Sequence, residues 1–449
     1  MDKKRLDFGN GRVGALFRSL FFPTLVGMFF NSALNICDGM FVGHGVGSDA
    51  LAAINIVAPV FLLCTGVGLM FGIGASVVAS IRLAEDNVQA ARTVMTQAFL
   101  TGAVIFSCVI LVSLLFTGPL LSLMGCSERL EPYARDYLLW LLPGLMFLYV
   151  QCVGMMLVRL DGAPKYAMTV QIVAAVLNIF LDWLMVFPLG MGIGGAAMAT
   201  SASCAVGGLM VLVYFLFFSD KLKFSREVRT GALRNVANMA RVGAATFLAE
   251  LAIGVMMVTG NYTYLRYLGE DGVAAFSIAC YLFPLVFSIS NAVAQSAQPI
   301  ISYNYGAGRP DRVRAALHIA LGTAAVCGVL VTPGMWRGAS VLAGVFLPSD
   351  TAAYGMACSG LPVFGMCAMF FAVNITFIGY YQSVENAVAS TLYTLLRGIV
   401  FPVAGFVLLP ATFGASGLWY AIPLAEALTM LAILRGCFIR NVNSGAVNL

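Results

Sequence analysis

Apolar residues run along this chain in long blocks separated by short polar stretches. A helix needs about 20 apolar residues to cross about 30 Å of hydrocarbon, so the pattern predicts membrane-spanning helices. Twelve blocks can be drawn, at roughly 15–42, 50–80, 92–117, 132–157, 165–187, 193–218, 238–266, 273–299, 313–333, 351–379, 388–409 and 415–438. Several exceed the minimum length, which predicts tilting or kinking, with Pro23, Pro59, Pro143 and Pro284 as the kink positions.

The polar connections carry the topology. With the N-terminus on the cytoplasmic side, that side collects 20 of the 25 Lys and Arg residues, the opposite side collects 4, and Arg397 falls inside a span. Lys and Arg accumulate on cytoplasmic loops, so both termini are expected to be cytoplasmic and the span count even. The longest polar connection, 219–241, holds six bases and divides the chain into two six-span halves. Laying the second half on the first at a single ungapped offset sets Val46–Ala53 on Leu268–Ala275, Arg92 on Arg314, Gly192 on Gly414 and Gly195 on Gly417. Six spans per half is even, so the halves share one orientation, as in transporters built from parallel repeats. The expected layout is a cytoplasmic segment 1–14, an N-lobe 15–218 of helices 1–6, a cytoplasmic linker 219–237, a C-lobe 238–438 of helices 7–12, and a cytoplasmic tail 439–449.

Composition narrows the class. Of 449 residues, 60% are apolar and 10% charged, with a mean hydropathy of +0.92. An ordinary soluble domain carries about 25% charged residues, so this chain is too poor in charge to be a cytosolic enzyme, a disordered chain or a secreted disulfide scaffold. The net charge of +5 comes from bases between apolar blocks, which points to topology rather than to nucleic acid. Eleven cysteines show no CxxC pair and no Cys/His ligand spacing, and most lie in apolar runs as small hydrophobes. No disulfide and no cofactor is expected. The N-terminal stretch Met1–Arg5 leads into a long span without a short apolar core and cleavage site, so no cleaved signal peptide is expected. There is no HExxH, GxSxG or Asp-rich metal motif, which argues against an enzyme.

Charges inside the spans are few, and each is expensive to keep in hydrocarbon, about 2.5–3.5 kcal/mol on insertion scales. Asp38 lies in the outer third of span 1. Asp182 lies deep in span 5, four residues after Asn178 and so on the same helix face. Thr200 opens a hydroxyl pair with Ser201 in span 6. Asp38, Asn178, Asp182 and Thr200 could together line an oxygen-rich cavity, and two carboxylates in a dry cavity cannot both ionise cheaply. That suits binding of a proton, and oxygen ligands also suit a hard cation such as Na+. The alternative is two unrelated helix-packing acids. Glu250 in span 7 is the candidate for a second ionisable site, or a helix-end acid. Arg397 in span 11 is expected to pair within its own half, with Glu426 as the visible partner. His44 and His318 lie near span ends and read as interface residues. The many Met, Phe and Tyr residues fit a cavity for apolar cations or ordinary lipid-facing filler.

The chain resembles the MATE multidrug and toxin extrusion transporters over nearly its whole length. The likeness is carried by Pro23 and Asp38, the Gly43–Gly47 turn with Ala50-Leu51-Ala52-Ala53, and Arg159 with Asp161-Gly162-Ala163-Pro164-Lys165. Asn178 through Asp182, Gly192–Ala197, Gln295-Ser296-Ala297-Gln298-Pro299, Asn304–Gly308 and Arg312 continue it. The resemblance implies an all-α integral membrane fold, twelve transmembrane helices in two parallel-repeat six-helix bundles around a central cleft. It implies proton- or sodium-driven antiport that exports organic cations, with Asp38, Asn178, Asp182 and Thr200 matching the family's N-lobe cation site. Glu250 matches an acid that some members use in the C-lobe, but span 10 here reads Phe370–Asn374 without the companion Asp, which shifts weight to the N-lobe. Gln295, Gln298, Pro23 and Arg397 are candidate structural or gating positions. Span 7 also departs, with Gly243-Ala244-Ala245 where a Pro is usual, and Tyr381–Asn386 lacks the Gly and Pro of the matching first-half loop.

The expected function is secondary active efflux of cationic or amphipathic small molecules by a multi-pass, monomeric protein of the cytoplasmic (plasma, or cell inner) membrane, surrounded by lipid and without nucleic-acid partners. A flippase for a lipid-linked precursor, or a transporter of another twelve-helix class, is the alternative. The flippase would favour more bases within the spans. The major facilitator class would favour a Gly/Asp/Arg-rich loop after span 2, where this chain has Arg82–Asn87.

Overall fold

The computed structural model describes residues 6–46, 48–124, 126–346 and 349–444. Lys3, Lys4, Arg5, Gly47, the tail beyond Ser444 and the side chains of His44 and Arg440 lie outside the described residues. Within them the chain is helical, with no strand. In order, the helices are α1 (Val13–Gly45), α2 (Ser48–Ala84), α3 (Val88–Leu115), the short α4 (Thr117–Leu123), α5 (Glu131–Leu160), α6 (Pro164–Val186) and α7 (Gly192–Val213). There follow α8 (Ala232–Gly306), α9 (Pro310–Phe346), α10 (Ala352–Gly365), α11 (Cys367–Ser383), α12 (Ala387–Leu395), α13 (Phe401–Phe413) and α14 (Gly417–Ser444).

These helices realise twelve apolar crossings, as the hydrophobic blocks predict. Among the described residues, nine helical runs are long and apolar enough to span a membrane, and the pair α10 and α11, bent by 40° at its break, makes a tenth. Two of the runs hold two crossings each. The long α8 is broken at Gly269 (φ 69°, ψ −161°), a backbone conformation that only glycine adopts without strain. The run from Ala387 is broken at Gly414 (φ 65°, ψ −157°). Pro23, Pro59, Pro143 and Pro284 all sit inside helices. The ninth crossing runs well past its expected end near 333, because one charge, Arg337, does not interrupt backbone hydrogen bonding. Large apolar side chains such as Val104, Leu115, Phe217, Leu330 and Val341 are more than half exposed, which suits lipid and not water.

The chain divides into two compact units. One holds the chain up to Arg12, Arg18–Phe247 and Ser302–Gly308; the other holds Val13–Phe17, Leu248–Ile301 and the chain from Arg309. In the first unit α5 packs mainly against α7 and α2. Tyr149 anchors this core: its hydroxyl donates to Ala98 O at 2.7 Å, and its ring meets Phe106 (4.9 Å) and covers Gly102, where a Cβ would collide with it. In the second unit Tyr264 stacks on Phe276 (4.5 Å) and meets Trp419 edge-on, while α13 packs on α14 and α9 on α11 and α10.

The repeat is visible in the backbone. Left-handed φ values occur at Asp86 and Gly308 and at Gly192 and Gly414, and the members of each pair face one another at the repeat offset. Gly162 and Glu385 form another such pair with a one-residue slip. Glu385 therefore takes the turn conformation that glycine takes in the first half, so the loop keeps its shape without the Gly-Pro sequence. The Gly243 departure also has a local reason. Gly74 on α2 faces the Met239 carbonyl and Gly243 on α8 faces the Met70 carbonyl, and a Cβ at either glycine would strike backbone. The two helices cross at a distance that only small residues permit.

Candidate functional site

Asp38 lies on α1, Asn178 and Asp182 on α6, and Thr200 on α7, all in the first unit. Pro164 opens α6 at a position where its missing N–H costs nothing, and near its other end the helix carries Asp182 into a fully buried setting. Asn178, one turn earlier, is equally buried. Its carboxamide nitrogen donates to Asp182 Oδ2 at 3.1 Å, while its oxygen accepts from the Thr200 backbone N at 3.2 Å. The reverse orientation would set a carboxamide oxygen against a carboxylate oxygen, so the neighbours fix this one. Thr200 Oγ1 donates to Ala196 O at 3.1 Å and keeps its lone pairs available.

Asp38 and Asp182 are electrostatic neighbours, and the buried Tyr137 of α5 lies within electrostatic reach of both. Asp38 Oδ1 and Asp182 Oδ1 are buried and have no hydrogen-bond partner among the described residues. Buried acceptors of this kind need a donor or a cation. The arrangement thus offers two open carboxylate oxygens and a hydroxyl, a donor set that fits a proton or a small hard cation. Among the described residues no group of three or more His, Cys, Asp or Glu side chains is placed to hold a metal ion. Ser201 turns away from this site and donates to Trp140 O at 2.6 Å. Tyr137 was not singled out from sequence, because nothing in its local pattern separates it from the other aromatic residues of a membrane helix.

The remaining candidates lie elsewhere. Glu250 is on α8 in the second unit, where it has no hydrogen bond or ion pair among the described residues. Gln295 and Gln298 are buried on the same helix. Pro23 lies within α1, one turn before Gly27. Arg397 sits in a π-helical turn, Leu396–Val400, between α12 and α13. Its Nε donates to Glu426 Oε1 at 2.8 Å and its guanidinium lies 4.0 Å above the Phe371 ring. Asn374 Nδ2 donates to Glu426 Oε2 and to Glu426 O, both at 2.8 Å. Span 10 thus supplies an amide, Asn374, to this ion pair and carries no Asp. His318 is exposed.

A second polar cluster closes the end of the first unit. Asp161 is buried and accepts from Tyr214 Oη (2.7 Å) and from the backbone N of Asp220, Lys221 and Leu222 (3.2–3.3 Å). Arg92 Nε donates to Lys221 O at 2.8 Å, and Gln97 Nε2 donates to Val228 O and Thr230 O. The segment that reads as a polar linker is therefore fastened along the first unit.

The fold and these buried polar groups define a polytopic α-helical membrane protein made of two repeats, with an acidic pair inside its first unit. The chain belongs to the MatE family, whose model matches twice, over residues 23–184 and 245–407, one match in each repeat and at the same offset. Membership makes it a transporter and not an enzyme. It is 25% identical to the multidrug export protein MepA of Staphylococcus saprophyticus over 417 residues, 92% of this chain and 90% of that protein. It is 24% identical to MepA of Staphylococcus aureus over 413 residues, with the same coverage. Among solved structures it is similar to an outward-facing multidrug resistance MATE transporter of the MOP superfamily (TM-score 0.92, 22% identity, 99% of this chain and 100% of that one). A MOP superfamily transporter from Pyrococcus furiosus, described as having a binding pocket of reverse polarity, is equally similar in fold (TM-score 0.92, 22% identity, all of both chains).

Proposed function

We propose that this chain is a multidrug efflux antiporter of the plasma membrane that exports organic cations and amphipathic compounds in exchange for protons, or for sodium, by alternating access. The reading is carried by one observation, the two buried carboxylate oxygens of Asp38 and Asp182 that lack partners beside the Asn178 and Thr200 polar groups. The multidrug export activity in the names of the MepA relatives supports the substrate class. The distribution of bases supports cytoplasmic termini.

The cycle follows from differential binding. Two ionised carboxylates repel one another in a dry site, so a cationic drug that binds between them lowers the energy of the ionised form. A proton on one carboxylate, or a sodium ion held by Asp38, Asn178, Asp182 and Thr200, cancels part of that charge and weakens the attraction. A ligand shifts a two-state equilibrium only as far as its affinities for the states differ. The shared carboxylates provide that difference, and α1, with Pro23 and Gly27 along its length, is the element able to repack in response. The acids of α1 and α6 have no counterparts at the repeat offset, where Gly260 and Ala404 stand, so the coupling is assigned to the first unit, with Glu250 as an accessory ionisable group. Gln295, Gln298 and Arg397 are read as structural positions. The transporter acts as a monomer in lipid.

The test is efflux of a cationic dye from loaded proteoliposomes under an imposed proton gradient and then an imposed sodium gradient. Asp38→Asn and Asp182→Asn should each abolish gradient-driven efflux at normal membrane insertion, and the double variant should be no worse than either. Wild-type efflux in Asp38→Asn would sink the reading.

A further inference from the structure

The acidic pair is one of two polar levels along the same pair of helices. α1 and α6 run side by side: Phe41 packs edge-on against Phe187 at 6.0 Å, and Gly45 lies against Val186. Eleven residues before Asp182 on α6 stands Gln171, and eleven before Asp38 on α1 stands Gly27. These two also meet. The Gln171 carboxamide lies over Gly27 and takes the space where a Cβ would be. Equal steps on both helices mean that they run parallel and in register, with the two levels about 16 Å apart at 1.5 Å per residue.

The lower level is also short of hydrogen bonds. Gln171 Oε1 is buried with no partner among the described residues, and so is Thr24 Oγ1, one turn before Gly27. In hydrocarbon each such group is costly unless it meets a donor. A buried water needs two to four polar partners, and this level supplies them. Gln171 lies seven residues from Asn178, so both belong to one face of α6, the face that continues to Asp182.

We infer that Thr24 and Gln171, whose carboxamide lies over the side-chain-free Gly27, hold a water relay that carries protons from the Asp38–Asp182 pair along the α1–α6 seam towards the cytoplasmic ends of the two helices. The inference rests on the coupling role proposed for that pair. The first hop breaks the O–H bond of a protonated carboxyl and forms one on the neighbouring water, each later hop breaks one O–H bond of a hydronium or water and forms one on the next oxygen, and the last proton leaves as hydronium. Gln171 is a positioning residue: it holds the water through its carbonyl oxygen and exchanges no proton itself. Gly27 is required because any side chain there would push the Gln171 carboxamide off the seam.

The experiment uses the full chain in proteoliposomes with Gln171→Leu, Gly27→Ala and Asp38→Asn. Proton-driven dye efflux in the first two variants should fall by about tenfold or more. Equilibrium binding of a fluorescent organic cation should stay at the wild-type affinity, and the rate ratio between H2O and D2O should rise. Wild-type rates in Gln171→Leu overturn the relay, as does a loss of affinity in step with the rate, which would mark a packing role. Efflux that answers to sodium but not to a pH gradient overturns it too. If Gln171→Leu cannot be purified folded, Gly27→Ala carries the same outcomes, since it displaces the carboxamide without deleting it. An inactive Asp38→Asn beside a normal Gln171→Leu removes the relay alone, whereas an active Asp38→Asn removes the coupling reading beneath it.

Discussion

Arg397 Nε lies 2.8 Å from Glu426 Oε1, and both side chains are almost wholly buried within the second unit. Neither charge can be left alone there. Glu426 is held on its other oxygen by Asn374, and Arg397 rests on the Phe371 ring, so the pair forms one neutral network across α11, α14 and the π-helical turn. Removing one partner of a buried pair strands the other, at a cost of about 3–5 kcal/mol, whereas replacing both with apolar residues of similar volume is often neutral. Arg397→Met and Glu426→Leu should each lower the thermal stability of the purified protein strongly, and the double variant should recover most of it. Thermal denaturation in detergent measures both. If the single variants are as stable as the wild type, the pair is not structural.

Asp161 makes a comparable prediction about the linker. Its carboxylate takes one hydroxyl and three backbone amides, and hydrogen bonds to a charged acceptor contribute about 1.5–3 kcal/mol each. Asp161→Ala should free the segment from Asp220 to Leu222 and raise the exchange rate of those amides, while Tyr214→Phe should have a smaller effect. Hydrogen–deuterium exchange read peptide by peptide checks this. Unchanged protection in Asp161→Ala would mean that the bonds from α3, those of Arg92, Thr96 and Gln97 among them, fasten the segment without it.

The parts of the fold set by length and hydropathy were legible in the chain. Twelve crossings and a two-fold internal repeat follow from how much apolar sequence a bilayer demands, and neither depends on distant contacts. Asn178 and Asp182 shared a face because helical spacing is local. Contacts between residues far apart in sequence were not legible. Gln171 reads as a lone polar residue until α1 is laid against α6, and Asp161 looks like part of a short loop motif until the amides of 220–222 fold back onto it. The unusual Gly243 gains a reason only when the Met70 carbonyl stands opposite. Residue types gave the candidate acids of the site, while packing decided which polar neighbours, Tyr137 among them, surround them.

The N-terminal turn should respond to acid. The Asn10 side chain donates to Asp7, and with the backbone amides of Gly9 and Asn10 it holds the Asp7 carboxyl below the usual carboxylate range. A carboxyl whose value is depressed by folding stabilises the fold fully above its ordinary value, and that contribution fades as pH falls through the depressed one. Asp7 is largely exposed, so the effect is local. It bears on Phe8, whose carbonyl accepts from Asn304 Nδ2 at 3.1 Å and whose ring meets Tyr303. Acidification below about pH 4 should loosen this turn first, seen as faster proteolysis near Gly9. Asp7→Asn should show the looser behaviour already at neutral pH. A turn equally protected at both values would contradict the assignment.

Gly243 and Gly74 set the closest approach between α2 and the start of α8, each facing a carbonyl of the other helix. Backbone cannot move aside as the end of a flexible side chain can, so a methyl group at either position forces the helices apart. Overpacking of this kind costs about 1–3 kcal/mol, and more for larger groups. Gly243→Ala should lower stability measurably and Gly243→Leu should lower it further, in the order of added volume. Gly254, on the same helix, has no neighbouring atom where its Cβ would stand, so Gly254→Ala is the matched control and should be nearly silent. Thermal denaturation of the three purified variants orders them. Helix propensity favours Ala over Gly at both sites, so equal losses at positions 243 and 254 would show that the crossing with α2 does not govern Gly243.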